Sequence, residues 1–290
     1  MTQKIGVIGY PLKHSLSPVF QQAAFDHYKL NVRYELWETE AGQLPSIIDN
    51  IRSGNYIGAN VTIPYKESVI PMLDILDEQS GMIRAVNTIV NRDGKLGGYN
   101  TDAQGFIKAL RDDALFDPED KDVLVIGAGG AARAVGFALI QQRVRSITLI
   151  NRTLSHAENI ALALGQLIKA NRINTQVNTL PWQSSGLLKT VDACQLIVNC
   201  TSFGTRYSSL EGKSPVDFHL LHPDMLVFDL VYNPGETPLL KMAKEAGANT
   251  LGGLSMLIYQ GAAAFTLWTG LDAPVDIMAS AVRKEIGHPA

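Results

Sequence analysis

"VLVIGAGGAARAV", residues 123–135, decides the fold of this chain. The apolar run Val123–Ile126 ends in Gly127, and Gly129 and Ala132 complete the spacing G-x-G-x-x-A as the chain enters an Ala-rich, helix-favouring segment. Glycine at the first two positions permits a tight turn and close approach of a ligand to the backbone, while the helix N-terminus offers unpaired N–H groups to a pyrophosphate. The stretch predicts a strand, turn and helix that hold a dinucleotide, with Gly127, Ala128, Gly129, Gly130 and Ala131 against it.

About 20 residues after such a turn, an NAD site carries an Asp or Glu for the ribose 2′-OH. Here the second strand runs into LINRTLSH, residues 149–156, with Asn151 and Arg152 at its tip. No carboxylate there repels a 2′-phosphate and a guanidinium can grip it in a bidentate way, which points to NADP. His156 can add a donor, and a solvated Arg152 is the alternative reading.

Working outward, SITLINRT, LIVNCTSFG and LVFDLVYNP are each an apolar strand followed by a helix or loop, the repeating unit of a doubly wound sheet. Upstream, KIGVIG, a helix from Pro18 to about Tyr28, VRYELWE, a helix over 44–51 and GANVTI alternate in the rhythm of an α/β domain with a mostly parallel sheet. TIVNRDGKLGGYNTD, residues 88–102, reads instead as a hairpin-like excursion about Asp93-Gly94 that delivers Asn100, Thr101 and Asp102 to a loop. A helix over 104–110 then precedes the polar RDDALFDPEDKD, residues 111–122, expected to be linker or surface loop and the point where one domain passes to the next.

With 290 residues the chain has room for about two domains. At 46% hydrophobic and 18% charged, with a net charge of -3, it has the composition of an ordinary globular protein and no electrostatic footprint for nucleic acid or an acidic membrane. A small-molecule ligand is the expected partner. The N-terminus runs straight into a strand without a signal-like apolar segment, so a cytoplasmic location is expected. Cys194 and Cys200 are expected to be reduced and structural, with Cys200 in a buried strand; no cysteine and histidine set suggests a metal. The uncharged stretch 246–271 holds five glycines and Gln260, and reads as a buried helix behind a glycine turn rather than a membrane span.

Seven motifs stand in order along the chain: SLSP (15–18), NVTIPYK (60–66), AVNT (85–88), NTD (100–102), GAGGAAR (127–133), NRT (151–153) and GGLSMLIYQGAAAF (252–265). In them the sequence resembles the shikimate dehydrogenases over nearly its whole length. The resemblance implies an N-terminal α/β substrate domain, residues 1–103 rejoined by 254–290, plus a Rossmann-type doubly wound parallel-sheet dinucleotide domain, residues 104–253. It implies NADPH-dependent reduction of 3-dehydroshikimate to shikimate on the route to chorismate and the aromatic amino acids. A homodimer is left open.

Residue by residue, the resemblance gives the substrate carboxylate to Ser15 and Ser17, which stand beside the start of a helix, and the carboxylate or ring hydroxyls to Thr62, Asn87 and Gln260. Lys66 and Asp102 become the pair that moves the proton, since hydride delivery to a ketone leaves an alkoxide that must be neutralised. From the residues alone Lys66 reads more readily as a solvated lysine after a strand, and it is the resemblance that makes it catalytic. Asn151, Arg152, Thr153 and His156 fall around the 2′-phosphate, Thr201 and Leu230 near the nicotinamide, Tyr232 toward the substrate, and Gly253 where the chain passes close to the cofactor. The sequence departs from the family pattern at Ser202, Thr205, His156 and Ser255, the last expected in a turn. Three alternatives remain: a quinate/shikimate dehydrogenase using NAD, a catalytically silent dinucleotide-binding redox sensor, and a methylenetetrahydrofolate dehydrogenase. The sensor predicts loss of Lys66 or Asp102, and the last leaves SLSP and NTD unexplained.

Overall fold

Strands buried on both faces read as continuous apolar runs rather than alternating ones. In the computed structural model, which describes residues 2–13, 15–182, 184 and 186–287, such runs form two sheets. They belong to two compact units, residues 1–105 with 258–290, and residues 106–257.

The first unit contains β1 (Gln3–Gly9), α1 (Ser17–His27), β2 (Val32–Glu38), α2 (Leu44–Ile51), β3 (Tyr56–Val61), β4 (Ile75–Leu76), α3 (Glu78–Ile83), β5 (Thr88–Arg92) and β6 (Lys95–Tyr99). Its strand order is β2-β1-β3-β5-β6-β4, with β5 antiparallel to both neighbours and the other pairings parallel. The β5–β6 pair is therefore no excursion: β5 joins β3 and β6 joins β4, because Ile89, Val90 and Leu96 are core residues. Asp93 and Gly94, at φ 52° and 84°, make the two-residue turn between them. Ile8, Ile48, Ile51, Val61, Ile89 and Leu96 form the core on one face. Phe20, Phe25 and Phe265 are fully buried, each contributing about 1.5–3 kcal/mol.

α4 (Asp102–Lys108) leads to the second unit, which contains β7 (Asp122–Ile126), α5 (Gly130–Gln141), β8 (Ser146–Asn151), α6 (Leu154–Asn171), β9 (Gln176–Pro181), α7 (Leu187–Ala193), β10 (Leu196–Asn199), β11 (Leu226–Asp229), α8 (Pro238–Glu245) and β12 (Asn249–Gly252). The strand order is β12-β11-β10-β7-β8-β9, every pair parallel. Counted from β7 this is the 3-2-1-4-5-6 order of a Rossmann fold, whose ligands lie at the carboxyl ends of the strands. α9 (Leu254–Thr269) and α10 (Val275–Glu285) complete the chain. No helix among the described residues is long and apolar enough to cross a membrane.

Four local expectations need correction. Arg111–Asp113 are helical rather than linker: a π-turn over Ala109–Asp113 extends α4, because buried Ala109 and Leu110 prolong its apolar face and Ala114 N–H donates to the Ala109 carbonyl at 3.3 Å. β3 stops at Val61 instead of reaching Ile63, since the Tyr65 N–H donates to the Thr62 carbonyl and turns the chain. Cys200 lies just past β10, half-buried in the following turn. Ser255 lies in the first turn of α9 and not in a loop. Cys194 is buried, and burial, with Asp122 nearby, pushes its thiol up to about 12, so it is inert as a nucleophile.

Candidate active site

In the first unit the polar groups converge where β3 and β6 end and the antiparallel β5 begins. The turn after β3 places Lys66, whose main-chain carbonyl accepts from Val86 N–H at 2.7 Å. Asp102 opens α4, with its own N–H donated to Asn100 Oδ1 at 3.0 Å. The Lys66 ammonium donates to Asp102 Oδ2 at 2.6 Å, with the side chains only 15% and 6% exposed. This lysine is thus neither solvated nor unpaired, and its burial beside one carboxylate is what a proton carrier needs.

Asn87 holds the other side of that carboxylate. Its Nδ2 donates to Asp102 Oδ1 at 2.8 Å and stands 2.9 Å from Thr101 Oγ1 and 3.2 Å from Gln260 Oε1. Its Oδ1 accepts from Thr101 N–H at 2.8 Å and from the Thr88 hydroxyl at 3.0 Å. With both ends engaged, the amide cannot rotate, so Asp102 is held with one oxygen for Lys66 and one for Asn87. Gln260 reaches the cluster from α9 because Gly105 is small: a Cβ there would lie 2.7 Å from the Gln260 nitrogen.

Ser15 and Ser17 sit at the start of α1, where Ser17 N–H donates to Ser15 Oγ at 3.4 Å and Leu16, the N-cap, supplies no side-chain cap. Thr62, half-buried, follows β3 with its N–H on the Ile8 carbonyl. Two buried residues to which the sequence reading gave no role, Tyr34 and Asn60, connect these parts. Tyr34 donates its hydroxyl to Asn60 Oδ1 at 2.7 Å, and Asn60 Nδ2 donates to the Asn87 carbonyl at 3.1 Å. Burial pushes the Tyr34 phenol far above its usual value, and a hydrogen bond from the Ser17 side chain pulls against it. Asn60 inside an otherwise apolar strand was the available signal, since a buried amide requires partners.

In the second unit, Gly127 at φ 107° turns the chain away from β7, and a Cβ would meet Thr201 Cγ2 at 3.0 Å and Cys200 at 3.2 Å. Gly129 is the N-cap of α5, and a Cβ on it would meet nothing within 4 Å, so open space adjoins the N–H groups of Gly130 and Ala131. With Ala128 between the glycines, this is a cradle in which a pyrophosphate fits. At the tip of β8, Asn151 donates from Nδ2 to the Thr153 carbonyl at 2.9 Å. Arg152 is exposed and makes no ion pair among the described residues; His156 is also exposed, in the first turn of α6. Leu230 follows β11, and Gly253 lies so close that a Cβ would stand 2.1 Å from the Leu230 carbonyl oxygen. Tyr232 is half-buried beside them and belongs to this unit, apart from the other residues assigned to substrate.

The family pattern described as the shikimate dehydrogenase substrate binding domain matches residues 7–89, that of shikimate / quinate 5-dehydrogenase matches 110–201, and that of the shikimate 5′-dehydrogenase C-terminal domain matches 253–283. The shikimate dehydrogenase (NADP(+)) of Desulforamulus reducens is 41% identical over 285 residues, covering 98% of this chain and 96% of that protein. The chain belongs to the shikimate dehydrogenase family. A crystal structure of shikimate dehydrogenase in complex with NADP+ superposes with a TM-score of 0.88 at 38% identity, covering 98% of this chain and 96% of the other. That of the Thermus thermophilus enzyme in complex with NADP(H) and shikimate gives 0.84 at 35% identity, covering 97% and 99%. The first sheet thus belongs to the family's substrate-binding domain and the second to its Rossmann domain.

Proposed function

We propose that the protein is an NADP-dependent shikimate dehydrogenase, reversibly reducing 3-dehydroshikimate to shikimate on the way to chorismate and the aromatic amino acids. The observation that carries this reading is the buried Lys66–Asp102 pair with Asn87 locking the carboxylate.

NADPH, when bound, supplies the hydride for the ketone carbon. Gly127, Ala128, Gly129, Gly130 and Ala131 receive its pyrophosphate, Asn151, Arg152, Thr153 and His156 its 2′-phosphate end, and Thr201, Leu230 and Gly253 its nicotinamide half. Ser15 and Ser17 take the substrate carboxylate; Thr62, Asn87, Tyr232 and Gln260 take carboxylate or hydroxyls. Lys66 Nζ stabilises the oxygen that becomes an alkoxide and passes it a proton. Asp102 Oδ2 holds Lys66 Nζ in place through their hydrogen bond and so keeps it aimed.

Initial rates with shikimate and quinate, each with NADP+ and NAD+, test the proposal: shikimate with NADP+ gives the highest kcat/KM, and a preference for quinate or NAD+ overturns it. In the same assay Arg152→Ala removes a charge-assisted contact, about 1.5–3 kcal/mol. It raises KM for NADP+ by roughly tenfold or more and leaves NAD+ nearly unchanged; equal effects on both cofactors show that Arg152 is only a solvated cation. The carboxylate assignment is checked by calorimetry. The methyl ester of shikimate binds much more weakly than the acid, because the Ser15 and Ser17 donors lose an ionised acceptor, whereas equal affinity places the carboxylate elsewhere.

A further inference from the structure

The second unit contains a cavity of about 450 Å³ to which the chemistry above gives no role. Its walls include the rings of Trp182 and Phe203, which stack at 5.6 Å between centroids and 19° between planes. Trp182 is half-buried against the core that contains Ile126 and Ile150, and Phe203 is half-buried as well. Ser184, Ser214 and Asp217 add polar groups to the lining. An apolar and aromatic wall with a few polar groups, at this size, is the make-up of a small-molecule site.

The register of the sheet places the aromatic pair at the end that receives ligands. β8 and β9 run parallel with Asn151 against Pro181, the last residue of each strand. Arg152 and Trp182 therefore leave neighbouring strands side by side. β10 runs beside β7 with Asn199 against Ile126, so the turn after β10 adjoins the first glycine of the phosphate cradle. There the Thr201 methyl lies 3.0 Å from where a Gly127 Cβ would be. Asn199 Oδ1 pins that turn, accepting from Thr201 N–H at 3.0 Å and from its hydroxyl at 2.6 Å, and Phe203 N–H donates to the same hydroxyl oxygen at 3.2 Å. Because β8 and β7 lie between β9 and β10, the contact of Trp182 with Phe203 reaches across both of them.

The covalent structure of the cofactor decides what lies there. In NADP the 2′-phosphate and the base sit on adjacent carbons of one ribose, and the pyrophosphate is carried on C5′ of the same sugar. With the 2′-phosphate on Arg152 and the pyrophosphate on residues 127–131, the base has the surface beside the β8 tip to rest on, and Trp182 is that surface. A half-exposed aromatic pair is a stacking platform for a flat heteroaromatic ring. The spacing of 5.6 Å leaves no room for a third ring between the two, so the ring lies against the pair and not within it.

We propose that the adenine of the cofactor stacks on Trp182, with Phe203 backing the indole. The inference rests on the assignment of the 2′-phosphate to Arg152 and of the pyrophosphate to the glycine turn.

Trp182 is one of three tryptophans, and the other two, Trp37 and Trp268, belong to the first unit. Adenosine 2′,5′-bisphosphate, which carries base and 2′-phosphate without a nicotinamide, should quench the tryptophan emission of the native protein. Ribose 2,5-bisphosphate, which lacks the base, should leave that emission unchanged. In calorimetry Trp182→Leu should weaken the adenosine compound about 5- to 150-fold, the range for loss of one base–aromatic stack, and leave the base-free compound as it was. Trp182→Phe, which keeps a ring, should recover most of the loss. Equal weakening of both compounds would show a loosened unit and overturn the proposal, as would an adenosine compound that binds without quenching. The quenching requires no variant, so it decides the matter even if Trp182→Leu does not fold. Failure of the cofactor assignment looks different. If the adenosine compound does not bind the native protein, that assignment falls and the stacking with it; if it binds, is weakened by Arg152→Ala and is indifferent to Trp182→Leu, the stacking alone is wrong.

Discussion

Lys66→Met is expected to lower kcat for shikimate oxidation by about 10²- to 10⁴-fold, the range for loss of a positioned acid or base. Methionine retains the apolar stem and removes only the ammonium, so a loss in rate reports the charge and proton rather than packing. KM for NADP+ should stay near its native value, because the residues assigned to the cofactor all lie in the other unit. Removing one partner of a buried pair also destabilises, typically by about 3–5 kcal/mol. Thermal unfolding must therefore be followed in parallel and kcat measured well below the variant's Tm. If the lysine mainly binds a substrate hydroxyl, KM for shikimate rises and kcat holds. An enzyme with kcat and shikimate KM both unchanged would remove Lys66 from the mechanism.

Asp102→Asn is expected to be comparably damaging, for a reason visible in the bonds around residue 102. Oδ2 accepts from the Lys66 ammonium and Oδ1 from Asn87 Nδ2, so both oxygens face donors. An amide has only one oxygen, and its NH₂ must confront either the ammonium or Asn87. The aim of the Lys66 Nζ fails even though the side chain itself is retained. Lys66→Met combined with Asp102→Asn should cost far less than the product of the single losses, since residues that act as one unit are not additive. Losses in kcat that multiply would mean that lysine and aspartate contribute separately, and the paired assignment would fall.

Much of the fold was legible because local patterns carry their own physical requirement. VLVI before G-x-G-x-x-A could be little else than a buried parallel strand opening onto a helix. Asp93-Gly94 required the positive φ of a hairpin turn. Where reading failed, a distant contact outweighed the local signal. The charged Arg111–Asp113 look like linker, yet two buried residues before them prolong a helix that composition would have ended. The β5–β6 hairpin looks like an excursion until β3 and β4 flank it, and sequence proximity contains no record of that flanking.

For the site, the sequence alone determined the chemical types and their stations. It determined a glycine turn for phosphate, Asn151 and Arg152 in place of an acid at the second strand tip, and a lysine and an aspartate in separate motifs. It could not determine which polar groups share a hydrogen, because that depends on distances between residues far apart in the chain. Lys66, in the turn after β3, and Asp102, opening α4 after β6, became a pair only when β5 joined those two strands into one sheet, and Asn87, just before β5, became the lock by the same packing. Tyr34, Asn60, Asn199 and Asp229 are each a buried polar side chain on a strand. Their significance is tertiary: a polar group buried in a sheet must find its partner across strands, and folding alone decides which partner it finds.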